Sequence, residues 1–187
     1  MAWSQGHHLE VSAMLSTLHL GAHADAPSHY DPKGESIEQR PLGLYMGAAQ
    51  VVRAQGLRRG ARVGLKDLSG PVTAPRVLID TGSFPDPDCW QGDFNSLEPA
   101  LIEALANQGV RLVGIDTPSV DPADSKALES HQVLRARNLA VLEGLCLVDV
   151  PEGLYTLVAL PLPIEGGDAS PVRAVLLPPM PDFPELL

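Results

Sequence analysis

Short apolar runs separated by single glycines and prolines divide the chain into many short elements. Three of these runs predict β-strands of ordinary length, at Gly47–Ala54, Val77–Asp80 and Val110–Ile115. Two further strands are predicted near the C-terminus, at Leu157–Pro163 and Pro171–Pro178, on either side of a turn that contains two glycines. The pattern therefore favours a domain built around a sheet, with ordered loops.

A helix is predicted between the strands at Val77–Asp80 and Val110–Ile115. Ser96 is placed to cap its first turn, and the helix runs to about Gln108 with Leu101 and Leu105 on its buried face. A strand, a helix and a strand at this spacing predict a βαβ unit, in which the two strands are parallel.

The loops that follow these two strands are candidates for the walls of a site, because loops at the C-terminal ends of parallel strands often carry function. They begin at Asp80-Thr81-Gly82 and at Asp116-Thr117-Pro118. An equally simple interpretation is that both are polar strand ends that form local turns.

The segment from Leu18 to Pro32 alternates in a way that a buried strand does not require. An amphipathic strand alternates apolar with polar residues to build a core, and the run Leu9–Leu20 predicts such a strand leading into the segment. Here the alternation gathers possible metal ligands instead. Every second position carries an imidazole, a carboxylate or a turn-forming residue: His19, Gly21, His23, Asp25, Pro27 and His29.

Distances decide whether these side chains could share one metal ion. In a straight strand His19 and His23 would be about 13 Å apart, whereas ligands of one ion lie about 2.0–2.2 Å from it. The chain must therefore bend, and Gly21 permits a bend at little steric cost. His19, His23 and Asp25 would leave one coordination position open, as in catalytic zinc sites. His29 is a fourth ligand or a free base beside the metal.

A second pair of ligand-type residues, His131 and Glu143, lies far along the chain. On one continuous helix they would be about 18 Å apart, so they could meet only if the helix ended early. Arg137-Asn138 predicts that end, followed by a strand with Glu143 on its inner face. A buried glutamate is costly unless a cation receives it. Without a metal, Glu143 would be a surface charge on an edge strand.

Composition narrows the class of protein. The chain has 187 residues, which suits one domain over residues 1–187, and its net charge of −10 with only 13 Lys plus Arg argues against nucleic acid as a partner. No apolar run predicts a membrane span, and Met1–His8 lacks the pattern of a secretory leader. Cys89 and Cys146 stand apart, which favours a reducing cytoplasm, with Cys146 as a buried small hydrophobe.

The histidine segment resembles the sequence by which the metal-dependent cyclase-like hydrolases are identified, His-x-Gly-x-His-x-Asp-x-Pro-x-His. This chain carries it at residues 19–29. The likeness continues through Gly114–Asp121, through His131 and Glu143, and into Leu160–Pro163 and Ser170–Ala174. The later blocks point to the arylformamidase (kynurenine formamidase) branch of the family.

The resemblance implies an α/β fold, a single domain with a mixed central β-sheet and flanking helices (the swivelling β/α/β, cyclase-like fold). It implies a site for two zinc ions per subunit in a homodimer, and hydrolysis of the small molecule N-formyl-L-kynurenine to L-kynurenine and formate. Each residue takes the role of the family position that it matches: His19 and His23 bind the first ion, His131 the second, Asp25 and Glu143 both, and His29 donates and accepts protons.

The chain departs from the family pattern at its N-terminus. Family members usually carry a further N-terminal segment with a tryptophan that contacts substrate, and Trp3 does not occupy the matching position. The apolar, proline-rich stretch Val175–Pro184 is a candidate surface for packing on a partner chain. Two other functions remain open: hydrolysis of a cyclic amide such as isatin, and a non-catalytic metal-binding protein.

Overall fold

The computed structural model describes residues 1–180 and 182–183, and a mixed sheet of eight strands dominates it. The strands in chain order are β1 (His23–Asp25), β2 (Met46–Arg53), β3 (Arg62–Val63), β4 (Arg76–Asp80), β5 (Ser96–Leu97), β6 (Leu112–Ile115), β7 (Ala140–Glu143), β8 (Gly153–Val158), β9 (Ala169–Pro171) and β10 (Val175–Leu177). The helices are α1 (Pro99–Asn107) and α2 (Glu129–Ala136), with short 3₁₀ turns at Trp3–Gln5, Pro27–His29, Ile37–Gln39, Leu42–Leu44 and Leu65–Asp67.

The eight strands lie in the order β10-β8-β2-β4-β6-β7-β1-β9, and β3 pairs with β5 in a separate two-stranded ribbon. The four central strands, β2, β4, β6 and β7, are parallel to one another, and β8 and β1 flank them in antiparallel pairing. The predicted mixed sheet is therefore confirmed, as is the βαβ unit formed by β4, α1 and β6.

Strands β4, β6 and β7 were visible in the sequence because both of their faces are buried, which produces continuous apolar runs. On one face Ile79, Ile115 and Val141 pack with Leu101 of α1 and Leu134 of α2. Alternate residues on the other face pack in a second core: Leu78, Leu112, Ala140 and Leu142.

Helix α1 begins two residues later than predicted. Glu98 takes the N-cap position with an extended backbone, and Pro99 is the first helical residue. Ser96 does not cap the helix because it belongs to β5, where its N–H donates to the carbonyl of Ala61 at 3.1 Å. Leu101 and Leu105 are fully buried, as predicted.

The predicted strand at Leu9–Leu20 is wrong. This segment forms no ladder: Val11, Met14, Leu15 and Leu20 are exposed, and Leu9 and Leu18 are only partly buried. The two strands predicted near the C-terminus differ from the observed ones: the first lies earlier in the chain, and the second is replaced by two short strands. Pro161 and Pro163 have no N–H to donate to a ladder, so the first strand ends earlier, at Val158, and the second becomes β9 and β10.

Two other expectations concern the surface. Cys146 is exposed and not buried, because the chain leaves the sheet after β7 at Gly144, whose φ is +64°. The Val175–Pro184 stretch contributes β10 to the edge of the sheet, while Pro181 and Pro184 lie outside the described residues. Among the residues that the structure describes, no helix is long and apolar enough to cross a membrane.

The bend predicted at Gly21 is confirmed, since its φ is +60° and the ladder of β1 begins only at His23. Gly144, which follows β7, packs against the backbone of this bend. A Cβ at position 144 would overlap the carbonyl group of Gly21, so the end of β7 can approach the start of β1 only with glycine there. This approach brings His23 opposite Glu143 in the antiparallel register.

Substitution of Gly144 by alanine should destabilise the protein more than the same change at a glycine in open space. Gly56 is the matched control, because its φ is +72° and a Cβ would meet nothing within 4 Å. Gly56→Ala carries only the left-handed backbone cost of about 1 kcal/mol, or about 2–4 °C in Tm for a chain of this size. Gly144→Ala should lower Tm at least twice as far by thermal unfolding; equal shifts would contradict the close approach.

Candidate metal centre

Five side chains from four elements meet at one end of the sheet. His19 Nδ1 lies 3.1 Å from Asp25 Oδ1. His23 Nε2 lies 3.3 Å from the same oxygen and 3.4 Å from Glu143 Oε2. His131 Nε2 lies 3.4 Å from Asp25 Oδ2 and 3.4 Å from Glu143 Oε1. The structure thus brings together the five residues that the sequence proposed as ligands.

Local structure explains this convergence. The period of two along β1 places His23 and Asp25 on one face, while Ala24 enters the opposite core. Pairing with β7 sets Glu143 opposite His23. Helix α2 covers that face and ends at Ala136, followed by Asn138 with φ +50°, so the predicted early helix end is confirmed.

Glu143 is not a surface charge on an edge strand, which was the alternative without a metal. Its residue is 3% exposed, and β7 lies between β6 and β1. Its Oε1 accepts the N–H of Val120 at 2.7 Å.

Each carboxylate directs its two oxygens to two different places. Oδ1 of Asp25 faces His19 and His23, whereas Oδ2 faces His131; Glu143 divides its oxygens between His23 and His131. Two ligand atoms on one tetrahedral zinc ion are about 3.3–3.6 Å apart. The observed separations of 3.1–3.4 Å are close to this range, so the arrangement of these donor atoms suits a bound metal ion.

Buried polar atoms in the cluster support a cation as the missing partner. His23 Nε2, His131 Nε2 and both carboxylate oxygens of Asp25 are buried and form no hydrogen bond in the described structure. A buried polar group without a partner costs about 1–3 kcal/mol, and more when it is charged. Cations bound between these atoms would give them the partners that they lack.

The second nitrogen of each histidine is already engaged. His23 Nδ1 lies 2.8 Å from the carbonyl oxygen of Gly21, and His131 Nδ1 lies 2.8 Å from Asp121 Oδ2. His19 Nε2 lies 3.1 Å from Asp168 Oδ2. If these nitrogens carry the proton and donate, the other nitrogen of each ring presents its lone pair to the centre, as metal-binding histidines do.

Asp121 and Asp168 are the residues that sequence reasoning missed. Asp121 is fully buried and also accepts the N–H groups of Ser130 and His131 at the start of α2, which fixes the helix that carries His131. Asp168 lies in the Gly166-Gly167 turn. Neither belongs to a periodic pattern, although Asp121 ends the Gly114–Asp121 block that carried the family resemblance.

The electrostatics favour positive charge in the centre. Burial lowers the pKa of His23, but the carboxylates of Asp25 and Glu143 outweigh burial and raise that pKa to about 10. Burial also lowers the pKa of His131, but the carboxylates of Asp121, Asp25 and Glu143 outweigh burial and raise that pKa to about 12. Burial raises the pKa of Asp25, yet the three histidines hold it well below its usual value. A divalent cation that displaces protons would meet the same attraction.

His29 lies beside this cluster. Its side chain is 35% exposed, its Nδ1 is 3.3 Å from Asp168 Oδ2, and its ring centroid is 4.2 Å from that of His19. The 3₁₀ turn Pro27–His29 directs the chain away from β1 and sets this imidazole at the rim. His29 and His19 therefore both contact the same oxygen atom, Oδ2 of Asp168.

One of the two predicted wall loops reaches the centre directly. Asp116 and Pro118 line a cavity together with His19, His23 and Cys146. The other loop is tied to it, because Thr81 and Gly82 donate backbone N–H groups to the Asp116 carboxylate at 3.0 and 2.8 Å. Burial raises the pKa of Asp116 to about 6, against these hydrogen bonds. Asp80 instead pairs with Arg53 at 3.1 Å.

Comparison with known proteins agrees with this fold. The family model described as "Putative cyclase" matches residues 2–122. A solved structure of a potential metal-dependent hydrolase with cyclase activity superposes with a TM-score of 0.77 at 30% identity, covering 85% of this chain and 78% of that chain. The chain belongs to the cyclase family, whose solved relatives include metal-dependent hydrolases.

Two curated proteins and a further solved structure are similar to this chain and carry more specific names. The kynurenine formamidase of Paracidovorax citrulli (strain AAC00-1) is 48% identical over 177 residues, which cover 91% of this chain and 81% of that protein. The kynurenine formamidase of Maricaulis maris (strain MCS10) is 45% identical over 171 residues, covering 90% and 80%. Isatin hydrolase A from Ralstonia solanacearum is 25% identical with a TM-score of 0.69, covering 85% of this chain and 72% of that chain.

Removing the partner of His131 should weaken metal binding without removing a ligand. Asp121→Asn replaces an acceptor with an amide that cannot satisfy both the ring N–H and the helix N–H groups. Outer partners of metal ligands are typically worth about 10–100-fold in affinity, and we expect a loss of that size by competition with a chelator. Glu103→Gln, which breaks only the exposed pair with Arg137, is the control; equal affinities for both variants would contradict the assignment.

Proposed function

We propose that this chain hydrolyses N-formyl-L-kynurenine to L-kynurenine and formate, with zinc bound at the five-residue centre. The observation that carries the proposal is the convergence of three histidines and two doubly shared carboxylates, with a further histidine at the rim. The 48% identity to a kynurenine formamidase supports the choice of substrate.

The proposed centre holds two zinc ions per chain. His19 and His23 serve the first and His131 the second, while Asp25 and Glu143 bind both. The separations between the donor atoms support this division, because each carboxylate faces two groups of imidazole nitrogens with different oxygens. Zinc bound here would lower the pKa of a water ligand toward neutrality and polarise the formyl oxygen.

His29 is the proposed acid and base. Amide hydrolysis must break the bond between the formyl carbon and the aryl nitrogen, and the departing amine must gain a proton. Imidazole suits both uptake and release of a proton near neutral pH. If Nδ1 of His29 donates to Asp168, then Nε2 is the nitrogen that exchanges protons with the reactants.

The remaining groups hold this geometry. Gly21, Asp121 and Asp168 fix the orientations of the ligand rings, and Asp168 also fixes His29. Preorganised groups of this kind avoid the cost of reorienting side chains during reaction. The chain's own contribution is therefore to position the ions and one mobile proton around the formyl group.

The proposal includes a homodimer in the cytoplasm. Its support is the family resemblance, the apolar residues of β10 at the sheet edge, such as Val175, and two cysteines that are both free and exposed. Free thiols are typical of reducing compartments.

Replacing His29 should separate catalysis from metal binding. With His29→Ala we expect kcat to fall by about 10²–10⁴-fold, because the amine loses its proton donor, while the zinc content stays at two per chain. His8→Ala is the control, since His8 lies outside the cluster. Parallel loss of zinc and activity in His29→Ala would instead make His29 a ligand, and unchanged activity would remove it from the mechanism.

Substrate comparison tests the choice among functions. The zinc-loaded protein should hydrolyse N-formyl-L-kynurenine with a kcat/KM well above that for isatin, because the chain is 45–48% identical to kynurenine formamidases but only 25% identical to isatin hydrolase A from Ralstonia solanacearum. Kinetic assays with both compounds on one preparation decide the matter. Preference for isatin would support the cyclic-amide alternative, and two bound zinc ions without turnover of either would support a metal-binding role alone.

A further inference from the structure

The cavity beside the metal centre has an apolar lining that the proposed proton transfers do not use. Besides His19 and His23, its walls include Phe84, Trp90 and Leu145. Its volume of about 180 Å³ is close to the roughly 150 Å³ of a cavity that accepts benzene. The space therefore suits one aromatic ring next to the zinc ligands.

Three aromatic rings form a cluster on the loop between β4 and β5. Trp90 lies edge-to-face with Phe94 at 5.9 Å and with Phe84 at 6.3 Å, and the two phenylalanines lie 6.2 Å apart. Such arrangements are favourable for aromatic pairs. Phe94 is buried, whereas Trp90 is 67% exposed, so a buried ring anchors an indole that still has a free face.

The loop that carries these rings is held at both ends. The N–H of Asn95 donates to Ser83 Oγ at 2.8 Å, which closes its neck. Thr81, two residues before Ser83, donates its hydroxyl to Asp116 at 2.8 Å. Arg59 binds Asp93 at 2.7 Å from outside. These bonds hold the loop in place before any ligand binds, which reduces the entropy lost on binding.

We propose that the loop from Ser83 to Asn95 is the aryl-recognition element of this site, with Trp90 and Phe84 packing against the aromatic ring of the substrate. It selects aryl formamides over aliphatic ones. This inference rests on the proposed function, since the ring in question is that of N-formyl-L-kynurenine. His19 connects the two parts, because it lines the cavity and its ring centroid lies 4.2 Å from that of His29.

Trp3 offers a matched control for Trp90. It is 63% exposed and does not line the cavity, so Trp3→Ala removes an indole of similar exposure elsewhere. In the zinc-loaded protein, Trp90→Ala should raise KM for N-formyl-L-kynurenine about tenfold, which is the size of one lost aromatic contact. The zinc content should not change, and kcat/KM for N-butylformamide should fall less than that for N-formyl-L-kynurenine. Trp90→Phe should retain most of the aryl preference.

Binding of the product provides a readout that does not depend on turnover. Calorimetric titration of the zinc-loaded protein with L-kynurenine should give a Kd that rises about tenfold in Trp90→Ala and stays the same in Trp3→Ala. Equal KM and Kd in the two variants would overturn the inference while leaving the proposed hydrolysis intact, as would a wild type that binds no L-kynurenine. Selective loss of L-kynurenine binding in a protein that hydrolyses no formamide would uphold the aryl site and remove the proposed function.

Discussion

The burial of two carboxylates side by side is the constraint on which the site depends. Asp25 and Glu143 are 2% and 3% exposed, on neighbouring strands, with imidazole nitrogens at 3.1–3.4 Å. Negative charge in that position is tolerable only with cations beside it, since an unpaired buried charge costs several kcal/mol. Protonated histidines would supply that charge in part, and a bound metal ion would add to it.

Residues at increasing distance from the centre hold the two carboxylates and the histidines in these positions. Gly21 and Gly144 let two backbone segments approach closely enough for β1 and β7 to present acids and histidines on one face. Asp121 then fixes the start of α2, and Asp168 links a ligand histidine to the histidine at the rim. Beyond them the loop from Ser83 to Asn95 adds an apolar wall to the cavity. The charged centre and the proposed aryl-binding wall therefore lie next to each other in one cavity.

Prediction from sequence succeeded where a residue pattern depends on the local environment or the local backbone conformation. Strands β4, β6 and β7 appear as apolar runs because both of their faces are buried, and Asn138 marked the end of α2 because it adopts a left-handed backbone. It failed where long-range pairing decides the outcome. Ser96 resembles a helix cap but pairs in β5. Leu9–Leu20 mixes apolar and small polar residues as a strand can, but it pairs with no strand among the described residues. Cys146 was expected to be buried, but the chain turns out of the sheet before it.

The sequence by itself predicted the candidate ligands and the bend between them. Ligand chemistry requires imidazoles and carboxylates, and His19, His23 and Asp25 cannot converge without a flexible residue such as Gly21 between them. Only the tertiary structure decided that Glu143 is central, that Asp121 and Asp168 orient the histidines, and that an aromatic loop lies beside them. These contacts join residues from 10 to 149 positions apart, and no local pattern of side chains encodes which distant segments will pair.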